Sequence, residues 1–230
     1  MNTVSYQHGK GDQFYYKYSY DADNRVTGAY SSRDKLVWIE DATYRYYLHG
    51  PLARTEIGRY KVQGVDYAYT LQGWLKGINS DSLSHYYDMA ADGWQNTDYA
   101  RVSRDVYSFK IGYYNNDFTP ISSTANAFNA KAYTAPGSLE ASGNQLFNGN
   151  ISFTTLGLKK IGSAATTGYT YGYDQLNRLT EMRQHTTGTT SGWSNSNIIT
   201  AYRESVAYDA NGNILKYLRK GTAATPHMDS

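Results

Sequence analysis

Histidine is the residue best suited to metal or acid–base work, and this chain has five, His8, His49, His85, His185 and His227. A metal site usually draws two ligands from one short element. No two of these stand at such a spacing, so all five are read as loop or surface residues. The stretch Asp209-Ala210-Asn211-Gly212-Asn213 places oxygens at its first, third and fifth positions. A calcium loop would then need glycine sixth and an acid twelfth, where this chain has Ile214 and Lys220. Asp21-Ala22-Asp23-Asn24-Arg25 fails sooner, because Arg25 would set a cation in the site. There is no Gly-x-Ser-x-Gly elbow, phosphate loop or dinucleotide fingerprint. The reading is of a chain without catalytic residues, metal ligands or cofactor.

What does recur is a frame. Tyr171-Gly172-Tyr173-Asp174-Gln175-Leu176-Asn177-Arg178-Leu179 is matched by Tyr18-Ser19-Tyr20-Asp21-Ala22-Asp23-Asn24-Arg25-Val26. Val206-Ala207-Tyr208-Asp209-Ala210-Asn211-Gly212-Asn213-Ile214 is a third copy, with Val206 in the first aromatic slot. Residues two apart on a strand share a face, so Tyr171 and Tyr173 point the same way. The Asp carboxylate can accept N–H groups two or more residues on and so open a turn. Asn24, Asn177 and Gly212 sit where that turn needs positive φ. The aliphatic residue restarts a strand. Each copy is a β-hairpin.

Two weaker copies follow the same frame. Tyr46-Tyr47-Leu48-His49-Gly50-Pro51-Leu52 carries Tyr47 in the Asp slot. Tyr67-Ala68-Tyr69-Thr70-Leu71-Gln72-Gly73-Trp74-Leu75 carries Thr70 there, with Gly73 as its turn residue. The second tyrosines fall at 20, 46 and 69, the spacing of a repeat architecture. The conserved frame resembles the YD repeat of the RHS family, the bacterial relatives of teneurins and toxin-complex shells. Gln63 to Asn79 and Leu146 to Ser152 resemble RHS proteins of the Bacteroidetes in particular.

Composition agrees with a turn-rich β protein: 25 Tyr against 6 Phe and 4 Trp, with 21 Gly and 4 Pro. A net charge of +2 without runs of one sign argues against nucleic acid or an anionic membrane as partner. With no cysteine there is neither disulfide nor thiolate site, and no apolar run is long enough to span a membrane.

The organisation expected is all-β throughout: repeat hairpins over 1–79, connecting strands and an Ala/Asn/Ser-rich insertion over 80–150, and repeat hairpins over 151–230. Leu36-Val37-Trp38-Ile39 is read as part of a strand, 80–100 as a polar loop, and Ala125 to Lys131 as a short helix. Thr186 to Gly192 is read as a polar tip. The tyrosines are expected to stack in ladders, one unit over the next. Arg25 and Arg178 are expected over those rings or on the Asp of a neighbouring unit.

The resemblance implies more. In the family such hairpins form a continuous antiparallel sheet that spirals into a hollow shell around a C-terminal toxin. This chain would be a wall segment of a longer secreted or cell-surface protein. Its partners would be the rest of that chain, the toxin passenger, secretion machinery or a surface glycan. No Asp precedes Pro51, Pro120, Pro136 or Pro226, so the family's Asp-Pro cleavage segment is missing. As a cut piece of sheet, the fragment is expected to self-associate through its edges. A second reading is an adhesion or carbohydrate-binding module using Trp74, Trp94, Trp193, Phe128 and Tyr133.

Overall fold

The computed structural model describes residues 3–121, 127–128, 145–159, 166–185 and 198–222. The chain divides into two compact units, one of residues 1–68 with 90–105, the other of 69–89 with 106–230. Among the described residues thirteen strands follow one another in chain order, and there is no helix.

The first unit holds β1 (Thr3–Tyr6), β2 (Phe14–Tyr20), β3 (Val26–Ser32), β4 (Ile39–Tyr46), β5 (Leu52–Ile57) and β6 (Gln63–Tyr69), whose last residue opens the second unit. Each pairs antiparallel with its sequence neighbour, as hairpins joined by short turns must. On β6 the alternation is strict: Gly64, Asp66 and Ala68 are buried, while Tyr67 and Tyr69 share the half-buried face.

The second unit holds β7 (Leu75–Ile78), β8 (Tyr107–Gly112), β9 (Phe153–Leu158), β10 (Thr167–Tyr173), β11 (Leu179–His185), β12 (Glu204–Tyr208) and β13 (Ile214–Arg219). Its ladders are antiparallel too. Its core includes Ile111, Tyr113, Phe128 and Phe153, next to buried Lys76, Lys110, Asp81 and Asp117.

One expectation about elements fails. Lys35 to Trp38 is a bend, and β4 begins only at Ile39. The Asp34 carboxylate accepts the N–H groups of Leu36 and Val37, and Lys35 takes φ +64°, which ends the extended run. Leu36 and Val37 therefore stand exposed. The 80–100 segment is irregular, as expected, yet it buries Asp81 and Asp92. Of the region read as a helix, only Ala127 and Phe128 are described, and they form a turn. The rest of that region, and the 186–192 tip, lie outside the described residues.

Candidate functional site

The repeated turn is one structure built five times. Asp21 N–H donates to Arg25 O and Asn24 N–H to Asp21 O, at 3.0 and 3.1 Å. The same two bonds close Tyr47–Pro51, Thr70–Trp74, Asp174–Arg178 and Asp209–Asn213. The fourth residue of each has positive φ: Asn24 60°, Gly50 116°, Gly73 83°, Asn177 61° and Gly212 92°. At Tyr20, Tyr46, Tyr173 and Tyr208 the register slips by one residue, the bulge that such a turn imposes.

In the three full copies the carboxylate does the capping. Asp174 Oδ1 accepts from Leu176 N and Arg178 N at 2.9 and 3.0 Å, and Oδ2 accepts from Arg178 Nε at 2.7 Å. Asp21 makes the same bonds to Asp23 N, Arg25 N and Arg25 Nε. At Asp209 the side-chain amide of Asn213 replaces the guanidinium, at 2.8 Å. Thr70 Oγ1 keeps one bond, from Trp74 N at 3.2 Å.

These bonds hold the three carboxyls below their ordinary value of 3.8, chiefly through Arg25 N for Asp21, Arg178 N for Asp174 and the Asn213 amide for Asp209. A carboxyl with a depressed folded pKa stabilises fully above its unfolded value. That contribution fades as pH falls through the folded one. The turns should therefore loosen only below about pH 4. Carboxyl ¹³C titration by NMR checks this, and midpoints at or above the ordinary value would contradict it.

One turn is keyed to the next within each unit. Tyr46 Oη donates to Val26 O at 2.8 Å, and the Arg25 guanidinium lies 4.7 Å from the Tyr46 ring centre. Tyr208 Oη donates to Leu179 O at 2.8 Å beneath Arg178, 4.5 Å from its ring. Tyr173 Oη reaches Ile151 O, and Tyr113 Oη reaches Leu75 O, both at 3.0 Å. Trp74 holds the Arg slot above Tyr113, ring centres 5.0 Å apart. Tyr46, Tyr113 and Tyr208 thus bond to the strand-restarting residue of the turn before, and Tyr173 bonds to Ile151, two residues ahead of β9.

This corrects the expected tyrosine ladder. Along β2, Phe14 meets Tyr16 edge-on and Tyr16 stacks on Tyr18. Successive repeats within a unit are joined instead by hydroxyl-to-carbonyl bonds and by a cation or an indole over the ring. Arg25 and Arg178 pair with the Asp of their own turn, not a neighbour's. Of the other motif positions, Tyr18 is half-buried and Tyr20 exposed on β2, and Tyr67 O accepts Tyr47 Oη at 2.6 Å. Tyr171 Oη lies 3.0 Å from Thr154 Oγ1, and burial pushes its phenol pKa up. Tyr208→Phe keeps the ring under Arg178 but removes the hydroxyl. It should cost about 0.5–1.5 kcal/mol, read as a lower urea midpoint at unchanged slope.

Buried charge is the feature that the sequence did not disclose. In the first unit Arg54 stands opposite Asp66 across β5 and β6 and bonds to it at 2.5 Å. Its Nε meets Glu56 at 3.2 Å, and Nη2 spans both oxygens of Asp92 at 2.8 and 3.1 Å. Tyr99 covers the guanidinium at 3.9 Å. Exposures of 4% for Arg54, 2% for Glu56, 9% for Asp66 and 0% for Asp92 put the cluster out of water. Burial alone would lower the Arg54 pKa, but Asp66 and Asp92 outweigh it and hold the charge. Burial would likewise raise Glu56, but Lys61, at 2.7 Å, and Arg54 keep its carboxyl low. Gly64 makes the room, since a methyl group there would overlap the Arg54 guanidinium and the Asp92 carboxylate.

The second unit repeats the theme with lysine. Lys76 Nζ meets Asp117 at 2.5 Å, and Lys110 Nζ lies 3.9 Å from Asp81. Asp117 also accepts Tyr113 N and Asp81 accepts Phe128 N, at 2.9 and 3.0 Å. Both ammonium groups approach the Phe153 ring, Lys76 at 5.9 Å and Lys110 at 5.5 Å from its centre. Opposite charges at alternate positions of β5 and β6 were the one available sequence signal. Nothing marked Asp92 or Asp117.

Two further expectations are corrected. His185 is fully buried on β11, with Nε2 2.8 Å from Thr170 Oγ1, whereas His8, His49 and His85 are exposed as expected. Phe128 is no surface contact, being 2% exposed beside Phe118. Trp94 lies half-buried under Arg104, 4.0 Å away. Tyr133 and Trp193 lie outside the described residues. Among the described residues no cluster of acid or histidine side chains is arranged for a metal ion, and no helix is long and apolar enough to cross a membrane.

No family model matches the chain, and none of the curated proteins does. Among solved structures it is similar to the crystal structure of TcdB2-TccC3 and to that of TcdB2-TccC3 without its hypervariable C-terminal region. Each match has 11% identity and a TM-score of 0.34 over 97% of this chain. The chain spans only 12% to 13% of the length of those chains.

Proposed function

We propose that this chain is a structural wall segment of an RHS/YD-repeat shell, acting by containment and without catalysis. The observation that carries the reading is the keyed turn. Five turns among the described residues share one hydrogen-bond pattern, and the hydroxyls of Tyr46, Tyr113 and Tyr208 bond to the strand-restarting residue of the preceding turn. A joint that specifies its neighbour by backbone carbonyl and ring suits a sheet extended unit by unit. The shared Tyr, Asp, Asn and Arg positions support placing it with YD repeats. The passenger would be a toxic domain later in the same longer protein, which would be secreted or displayed at the bacterial surface.

Protease protection tests the reading. In the complete gene product, an epitope placed after the last repeat should resist protease while the particle is intact. It should be cut once Tyr46, Tyr173 and Tyr208 are all replaced by alanine. An epitope cleaved equally in both proteins would refute containment.

A further inference from the structure

We infer that one rim of the first unit binds an anionic lipid surface through loops 33–38 and 58–62. The antiparallel order puts loops 7–13, 33–38 and 58–62 at the same end of β1 to β6. Strands lie about 4.8 Å apart, so successive loops on this rim stand about 10 Å apart. Leu36, Val37, Tyr60 and Val62 are 84%, 65%, 80% and 57% exposed there.

These tips are held outward. Ser32 Oγ accepts Lys35 N–H at 2.9 Å, Asp34 accepts those of Leu36 and Val37, and Trp38 Nε1 donates to Lys35 O at 3.1 Å. At the second tip Gly58 N–H donates to Asp41 O and Lys61 N–H to Gly58 O, at 2.7 and 2.9 Å. A capped turn that presents leucine and valine to water is preorganised for an apolar contact.

Cations surround the tips. The three loops carry Lys10, Arg33, Lys35, Arg59 and Lys61 against Asp12 and Asp34, whereas turns 21–25 and 47–51 at the opposite end carry Asp21 and Asp23 against Arg25. Lys10, Arg33, Lys35 and Arg59 are exposed. Lys35 lies over the Tyr15 ring at 4.5 Å, and Lys61 is paired with Glu56 at 2.7 Å. Of the acids behind the loops, Glu40 and Asp41 are half-buried, and Asp41 accepts Ser31 Oγ. Glu56 is buried, and Asp105 accepts the Gln63 amide. The net charge of +2 for the whole chain conceals this asymmetry, because the fold gathers cations that the sequence scatters.

Lipid headgroups are the occupant that fits. Leucine, valine and tyrosine enter the headgroup boundary favourably, and Arg and Lys meet lipid phosphate while their stems stay apolar. Tips about 10 Å apart can each enter a soft interface, whereas a protein partner would need a surface shaped to all of them. Nucleic acid would use the cations but leave Leu36 and Val37 in water. The inference does not depend on the wall reading.

The test mixes this chain with vesicles of phosphatidylcholine, alone or with about 30% phosphatidylglycerol, and reads binding by sedimentation. Binding should need the anionic lipid and weaken at least about tenfold as salt rises from roughly 0.1 to 0.5 M. Leu36→Asp with Tyr60→Asp should weaken it at least about tenfold, and Arg33→Gln with Arg59→Gln about fivefold for each charge removed. Leu48→Asp, at an exposed leucine of the opposite rim, should change nothing. Because the chain has no cysteine, a polarity-sensitive dye on Leu36→Cys reports that tip alone and should shift to the blue with anionic vesicles. Five results would each overturn the site. They are no binding to anionic vesicles, equal binding by the Leu36→Asp, Tyr60→Asp variant, binding of duplex DNA in place of vesicles, a dimer by light scattering that Leu36→Asp dissociates, or a Leu36→Cys thiol shielded from reagent in the complete gene product.

Discussion

Replacing Arg54 by methionine should cost the first unit about 3–5 kcal/mol, because it removes the guanidinium that Asp66 and Asp92 share out of water and leaves Glu56 with Lys61 alone of its two cations. Methionine fills much of the same volume, so the loss reports charge and not a hole. The readings are the urea midpoint and hydrogen exchange of the β5 and β6 amides. The loss shrinks as pH falls. Buried carboxylates that lose a counter-charge have raised pKa values, so the variant should recover stability as pH falls through those raised values towards the ordinary carboxylate range. The parent protein should not gain in that range, since its Glu56 carboxyl is held low by Lys61 and Arg54. Replacing Glu56, Asp66 and Asp92 by their amides in the Arg54→Met background should restore much of the loss. A variant that stays as stable as the parent at neutral pH would show that the cluster contributes nothing.

Filling Gly112 is the second large effect. Gly112 pairs directly with Phe153 across β8 and β9, and the ring lies over it. A methyl group there would overlap the ring, which is only 2% exposed and lies within 6 Å of the Lys76 and Lys110 ammonium groups, at 5.9 and 5.5 Å. Gly112→Ala should cost about 1–3 kcal/mol or somewhat more by overpacking. Phe153→Ala should cost about 3–5 kcal/mol by opening a cavity. The two must couple, because once the ring is gone the added methyl has room. The double variant should therefore fall short of the sum by about 0.5–3 kcal/mol. Strict additivity would show that the Phe153 ring does not press on Gly112.

The hairpins were legible in the sequence because a turn is a local contract. Asp, then Asn or Gly three residues on, then an aliphatic, specifies caps and positive φ within a few residues. That is why even Thr70–Trp74 and Tyr47–Pro51, where the Asp is missing, keep the same backbone bonds. The keying could be read only in part. Arg and Tyr were expected together, but which carbonyl Tyr46 or Tyr208 would find depends on the register between strands. The charged interior could not be read from local pattern. Asp92 reaches Arg54 across 38 residues and Asp117 reaches Lys76 across 41. At Lys35 to Trp38, apolar composition argued for a strand, but Asp34 bonds the backbone first.

The wall proposal meets its most direct test in cryo-electron microscopy of the complete gene product. It predicts a hollow, closed particle with density inside, in whose wall the Tyr46, Tyr173 and Tyr208 joints recur at each successive turn. A solid or open particle, with these hairpins forming a separate globular domain, would contradict it.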